Sequence, residues 1–131
     1  MRRFKKFSFA MLAVYSLLCT SAYAASYAWS FTLDTGESTY SSAHAKADDE
    51  QDAYVRIDGG NLTEGADKVW FRVRRYSDDA AMTETKWADS KGIRFTLHYE
   101  KEGIPGVKYR LKMQQDSIGA GGATANGYWT P

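Results

Sequence analysis

The chain has 131 residues, with 17 Lys and Arg against 16 Asp and Glu, and a single cysteine. Four of the basic residues fall within the first 24 positions and no acid does, so residues 25–131 hold 13 basic side chains against 16 acidic ones, a net −3. That balance argues against a general polyanion binder, which would show a basic excess or a basic stripe, and against electrostatic attraction to anionic lipid.

The first 24 residues have the pattern of a secretory signal peptide. Arg2, Arg3, Lys5 and Lys6 form a positive start. An apolar run covers residues 7–19, and Ala22-Tyr23-Ala24 fits the small-x-small cleavage pattern. The run is shorter than the ~20 apolar residues needed to cross a bilayer, and no later segment approaches that length. The expected organisation is a signal peptide over 1–24 and one secreted domain over 25–131, with no transmembrane span in the mature protein. Cys19 would leave with the signal, so the mature chain would have no thiol, disulfide or cysteine metal site. Ser16-Leu17-Leu18 before Cys19 argues against lipidation, which calls for small residues there. A domain of this length buries roughly 65% of its unfolded surface, and fourteen aromatics from Tyr27 to Trp129 supply a core.

Period-two alternation then dominates. Tyr27, Trp29, Phe31 and Leu33 alternate with Ala28, Ser30 and Thr32, which predicts a first strand ended by Gly36 and Glu37. A weaker extended piece covers residues 40–45, and a polar stretch covers 46–52. Residues 53–58 (AYVRID) predict a strand, with Gly59-Gly60-Asn61 as its turn. Residues 68–76 (KVWFRVRRY) predict another, with Val69, Phe71 and Val73 on one face and Trp70, Arg72 and Arg74 on the other. Residues 77–90 are ambiguous between a short turn of helix around Ala80, Ala81 and Met82 and an edge strand over 83–87.

The strongest hairpin signal joins residues 92–100 (GIRFTLHYE) to residues 107–114 (VKYRLKMQ) through KEGIPG. Paired in register, these strands would set Glu100 opposite Lys108. A glycine-rich bend at 119–122 leads to a short closing strand with Tyr128 and Trp129. Six or seven strands with frequent turns and no clear helix predict an all-β fold, a single antiparallel β-sandwich, with a small open β-barrel as the alternative.

Little points to catalysis. The mature chain has no cysteine nucleophile, and His44 and His98 stand in different elements. No Gly-x-Ser-x-Gly elbow, phosphate loop or His-Glu-x-x-His motif occurs. No catalytic residue, cofactor or metal is therefore expected. Asp48, Asp49, Glu50 and Asp52 offer oxygen ligands, but their spacing matches no EF-hand, and a solvated loop is the preferred reading over a calcium site. Asn61-Leu62-Thr63 is a glycosylation sequon by pattern. Arg72, Arg74 and Arg75, with Trp70 and Tyr76, form a basic and aromatic strip of the kind that binds sugars, carboxylates or phosphates, although an exposed sheet face that discourages edge association is the preferred reading. Trp70, Arg72 and Arg74 are the residues expected to bind if a site exists. Trp70, on the polar face, must be covered by the second sheet, a loop or a partner. Tyr128 and Trp129 are the second expected anchor.

With its export signal, the aromatic strand AWSFTL and the terminal NGYWTP, the chain resembles small exported bacterial β-proteins of the lactococcin type of bacteriocin. The resemblance covers the general plan and two short segments, residues 29–33 and 127–129. It implies non-catalytic binding to a cell-envelope component, such as a cell-wall precursor. The chain is longer and less basic than a typical antibacterial peptide, and no binding residue carries over. The function expected is a secreted, non-enzymatic, bacteriocin-like protein whose partner is an envelope component or an extracellular protein, and not nucleic acid. The alternatives are a structural or host-contact module of an exported assembly and, third, a carboxylate-dependent hydrolase.

Overall fold

A computed structural model describes residues 25–65, 67–116 and 122–131 of the chain. The expected signal peptide at 1–24 and most of the glycine-rich bend at 119–122 lie outside the described residues. Nine strands and no helix occur among the described residues: β1 (Tyr27–Leu33), β2 (Ser38–Tyr40), β3 (His44–Ala45), β4 (Asp52–Gly60), β5 (Val69–Arg75), β6 (Lys86–Ala88), β7 (Ile93–His98), β8 (Lys108–Gln115) and β9 (Ala123–Thr130). They exceed the expected six or seven for two reasons. The extended piece before residue 46 splits into β2 and β3, and the ambiguous segment supplies the short edge strand β6.

Two antiparallel sheets result. The first has the order β1-β9-β4-β7; the second runs β2-β8-β5-β6, with β3 also paired to β8. β2 meets β8 over Lys112 to Gln114 and β3 meets it at Lys108 and Tyr109, so one edge of the second sheet is shared by two short strands. No closed barrel forms. Alternation decides which side chains turn inward. Trp29, Phe31 and Leu33 of β1, Val55 and Ile57 of β4, Val69, Phe71 and Val73 of β5, and Tyr109, Leu111 and Met113 of β8 are buried in one core. Rings from the two sheets meet there: Phe71 stands edge-on to Trp29 at 5.5 Å and to Phe95 at 5.3 Å, and Tyr99 meets Tyr109 at 5.7 Å. Each such buried side chain contributes roughly 1.5–3 kcal/mol.

The expected hairpin between β7 and β8 does not exist. β7 pairs with β4 in the first sheet and β8 pairs with β5 in the second. Ile93, Phe95, Leu97 and Tyr99 still join Tyr109, Leu111 and Met113 in the core, but across it rather than along one ladder. Alternation assigns a strand's inner face without assigning its sheet. The connecting segment is an arch between sheets that keeps the expected turn at Pro105-Gly106, where the Val107 N–H donates to the Ile104 carbonyl at 3.2 Å. Gln51 clasps it at Gly103, donating from Nε2 to the Gly103 carbonyl at 2.9 Å and accepting the Gly103 N–H at 2.8 Å. The Ile104 N–H donates to the Tyr109 hydroxyl at 2.9 Å, and the Glu100 N–H to the Met82 carbonyl at 2.8 Å. The expected pairing of Glu100 with Lys108 is thereby lost.

β4 also runs on where a turn at 59–61 was expected. A bulge between Ile57 and Gly59 keeps it paired with β9 as far as Gly60. At Gly60 (φ 122°) a Cβ would fall 2.1 Å from the Thr124 carbonyl oxygen, and at Gly127 one would fall 1.8 Å from that of Arg56. Only glycine lets the backbones approach this closely. Asn61 follows the strand with its side chain engaged: the amide donates to the Gly122 carbonyl at 3.2 Å and its oxygen accepts the Thr124 N–H at 2.7 Å.

Candidate site on the outer face of the second sheet

The alternation that buries Val69, Phe71 and Val73 turns Trp70, Arg72 and Arg74 outward. The β5–β8 register then sets Trp70 opposite Gln114, Arg72 opposite Lys112 and Arg74 opposite Arg110. Two cation–cation pairs thus stand directly across one ladder, an arrangement that destabilises a sheet. On the far side of β5, Trp70 pairs with Trp87 of β6. Lys68 lies over both indoles, 5.0 Å from the Trp70 ring and 4.6 Å from that of Trp87. Half-buried Trp70 is therefore covered by its cross-strand neighbour and a lysine, while Trp87 itself is 50% exposed. Trp70, Arg72, Arg74, Thr85, Lys112 and Gln114 rim a hollow of about 80 Å³ on this face.

One end of the cation lattice has its own counter-charge. Asp79 closes the turn after β5 with φ 59°, a left-handed conformation that aspartate tolerates better than most residues. Arg74 donates to the Asp79 carbonyl at 2.9 Å; Arg110 and the Tyr40 hydroxyl donate to its carboxylate at 3.2 and 3.1 Å. Desolvation alone would raise the Asp79 carboxyl. The hydrogen bonds from Arg110 and Tyr40, with the charges of Arg74 and Arg110, outweigh it and hold the group below the usual aspartate value. Arg110 also lies 3.8 Å over the Tyr40 ring. Next in the turn, paired hydrogen bonds from Arg75 push the Asp78 carboxyl down to about 2. No such acid joins Arg72 or Lys112 among the described residues.

The second expected anchor divides. Trp129 is 1% exposed and lies in the core, because β9 is a central strand whose odd-numbered residues turn inward. It is not a surface anchor. Tyr128, 43% exposed, is on the outer face of the first sheet, with Arg56 lying 4.9 Å over its ring. That face is the opposite side of the molecule from Trp70, Arg72 and Arg74. Tyr128, Arg56, Arg94, Tyr54 and Thr96 line a shallow groove of about 310 Å³ there. Acids crowd it: Asp58 lies 2.8 Å from Arg56 Nε, Glu50 holds the Tyr54 hydroxyl, and Asp52 holds His98. The bond to Glu50 pushes the Tyr54 hydroxyl up to about 12.

The acidic loop after β3 is organised around a residue that alternation could not flag. Lys46 is only 1% exposed. Its ammonium donates to Asp48 at 3.1 Å and to the Pro131 carbonyl at 3.1 Å, and lies 5.0 Å from the Tyr99 ring centre. Asp48, Glu50 and Asp52 thus turn to three different partners: Lys46, Tyr54 and His98. Among the described residues no three His, Cys, Asp or Glu side chains converge to hold a metal, and no helix is long and apolar enough to cross a membrane.

Comparison of the chain with protein-family models, curated proteins and solved structures returned no match to any of them.

Proposed function

We propose that the chain is an exported, non-enzymatic protein that binds at the cell envelope or outside the cell, in bacteriocin-like fashion, through the outer face of its second sheet. The observation that carries this reading is the opposition of Arg72 to Lys112 beside the Trp70–Trp87 pair. A cross-strand cation pair without a bonded acid weakens the free fold and strengthens any complex with an anion, while adjacent indoles add contact area. Arginine and tryptophan are the residues that dominate binding energetics at interfaces. Export and envelope contact rest on the signal-like residues 1–24 and on the resemblance described above.

The test is a pull-down of the protein with purified envelope material. Trp70→Ala should leave the thermal transition cooperative and weaken binding by about 30-fold, the effect of losing one interfacial hot spot. Unchanged binding overturns the site. A second reading, a structural or host-contact module, draws on β1, a seven-residue strand that ends the first sheet. Concentration-dependent self-association lost on Ser30→Pro in β1 would favour it.

A further inference from the structure

Resting on the envelope-binding reading above, we infer that this face docks on an anionic lipid surface, with the hollow beside Trp70 seating a phosphodiester headgroup. Net charge alone argued the reverse. The structure shows that the average hides a one-sided distribution. Lys68, Arg72, Arg74, Lys108, Arg110 and Lys112 occupy alternate positions of β5 and β8, or flank them, on the one outer face. Among the described residues, the acid bonded to these cations is Asp79, held by Arg74 and Arg110. Asp48, Asp49, Glu50 and Asp52 belong to the segment leading into β4 of the other sheet. Screening confines electrostatics to about 10 Å at ordinary salt, so at contact the near face governs, not the net −3 of residues 25–131.

The hollow of about 80 Å³ between Trp70, Arg72, Arg74 and Lys112 has room for two or three water-sized groups. That is the bulk of a phosphate, and its lining includes Arg72 and Lys112, whose guanidinium and ammonium are donors that match phosphate oxygens, beside Arg74, which already gives one N–H to the Asp79 carbonyl. The rings select a lipid surface over a soluble anion. Trp87 and Tyr76 are 50% and 53% exposed. They stand at opposite ends of the face, about 20 Å apart by the rise of the intervening strand. Tryptophan and tyrosine favour the headgroup level of a bilayer, where one end of the ring is apolar and the other wet. The face carries exposed rings toward its two ends and cations between them.

Sedimentation with vesicles, using protein purified after expression of the full chain, tests this. Equimolar phosphatidylglycerol and phosphatidylcholine vesicles should carry the protein down; phosphatidylcholine alone should not. Raising salt from about 50 to about 500 mM should release it. Arg72→Gln with Lys112→Gln should weaken partition by about 30-fold, roughly fivefold for each cation. A blue shift of tryptophan emission on binding should disappear in Trp87→Ala. Inorganic phosphate at millimolar concentration should not compete; competition by it alone would reassign the site to a free anion and overturn the lipid inference. Equal binding to neutral vesicles, or no effect of the double substitution, would also overturn it. If delipidated envelope still binds while vesicles do not, the lipid inference fails and the envelope reading stands; if neither binds, both fail.

Discussion

Arg72 and Lys112 face each other across the β5–β8 ladder on the solvent side, and no hydrogen bond or ion pair joins either to an acid among the described residues. Like charges directly opposite oppose folding by a few tenths to about 1 kcal/mol. Lys112→Glu should therefore raise stability by ~1 kcal/mol, or about 4–8 °C in Tm for a domain of this size. Repeating the melt in 1 M salt should shrink the gain, since screening removes an exposed electrostatic term. The same substitution should abolish envelope binding. A variant that melts higher and still binds would separate the pair from function.

Neighbouring aromatics at the end of β9 should behave oppositely. Trp129 meets the core and Tyr128 meets solvent and Arg56. Trp129→Ala removes a fully buried ring and should cost about 3–5 kcal/mol, enough to leave a marginal domain largely unfolded. Tyr128→Ala loses an exposed ring and one cation–π contact, about 0.5–1 kcal/mol. Urea midpoints of the two variants distinguish these outcomes directly. Comparable losses in both would contradict the assignment of alternate β9 residues to opposite faces.

Which of these features can be read from the residues has a physical pattern. Period-two alternation locates β1, β4, β5, β7 and β8 and divides their faces correctly, because burial depends on parity and parity is visible in a single strand. It also places Trp70, Arg72 and Arg74 together, since they share one face of one strand. Pairing is not legible. Whether Ile93 to His98 joins Lys108 to Gln115 or crosses the core from it depends on long-range contacts, above all Gln51 to Gly103 and Tyr99 to Thr83. Trp129 departs from expectation for the same reason: β9 looks like a short terminal strand but lies between β1 and β4. Arg110 and Lys112 likewise reach the site only through the register of β8 on β5, which composition and spacing do not reveal.

Lys46 offers a buried charge with defined partners. Lys46→Met keeps the side-chain length but removes the donor to Asp48 and to the Pro131 carbonyl. Breaking the buried charged interaction leaves the Pro131 carbonyl without the lysine donor, and about 2 kcal/mol should be lost, since Asp48 remains partly hydrated and still accepts the Glu50 N–H. Asp48→Asn retains an acceptor and should cost less than half as much. Chemical denaturation of the three proteins checks the order. If Lys46→Met were neutral, apolar packing against Tyr99 alone would explain the burial of the lysine stem.

Acid should weaken the fold in two separate steps. Burial lowers the pKa of His44, whose ring stacks on Tyr27 at 3.7 Å, below its ordinary 6.5. The unfolded chain therefore binds that proton more readily than the native one, and stability present above pH 6.5 declines as pH falls below it. Asp78 and Asp79 are also lowered, Asp78 to about 2 from an ordinary 3.8. Their contribution is present above pH 3.8 and declines as pH falls below it; the Arg75–Asp78 pair loses its charge near pH 2, and the Asp79 bracket loses its own as that carboxyl is protonated. Urea midpoints should accordingly drop as pH falls below the ordinary histidine value of 6.5, and drop further below the ordinary aspartate value of 3.8. His44→Gln should flatten the first step and leave the second; Asp78→Asn should reduce only the second. A single continuous decline in the native protein, unchanged by either substitution, would show that neither group is coupled to folding as its surroundings require.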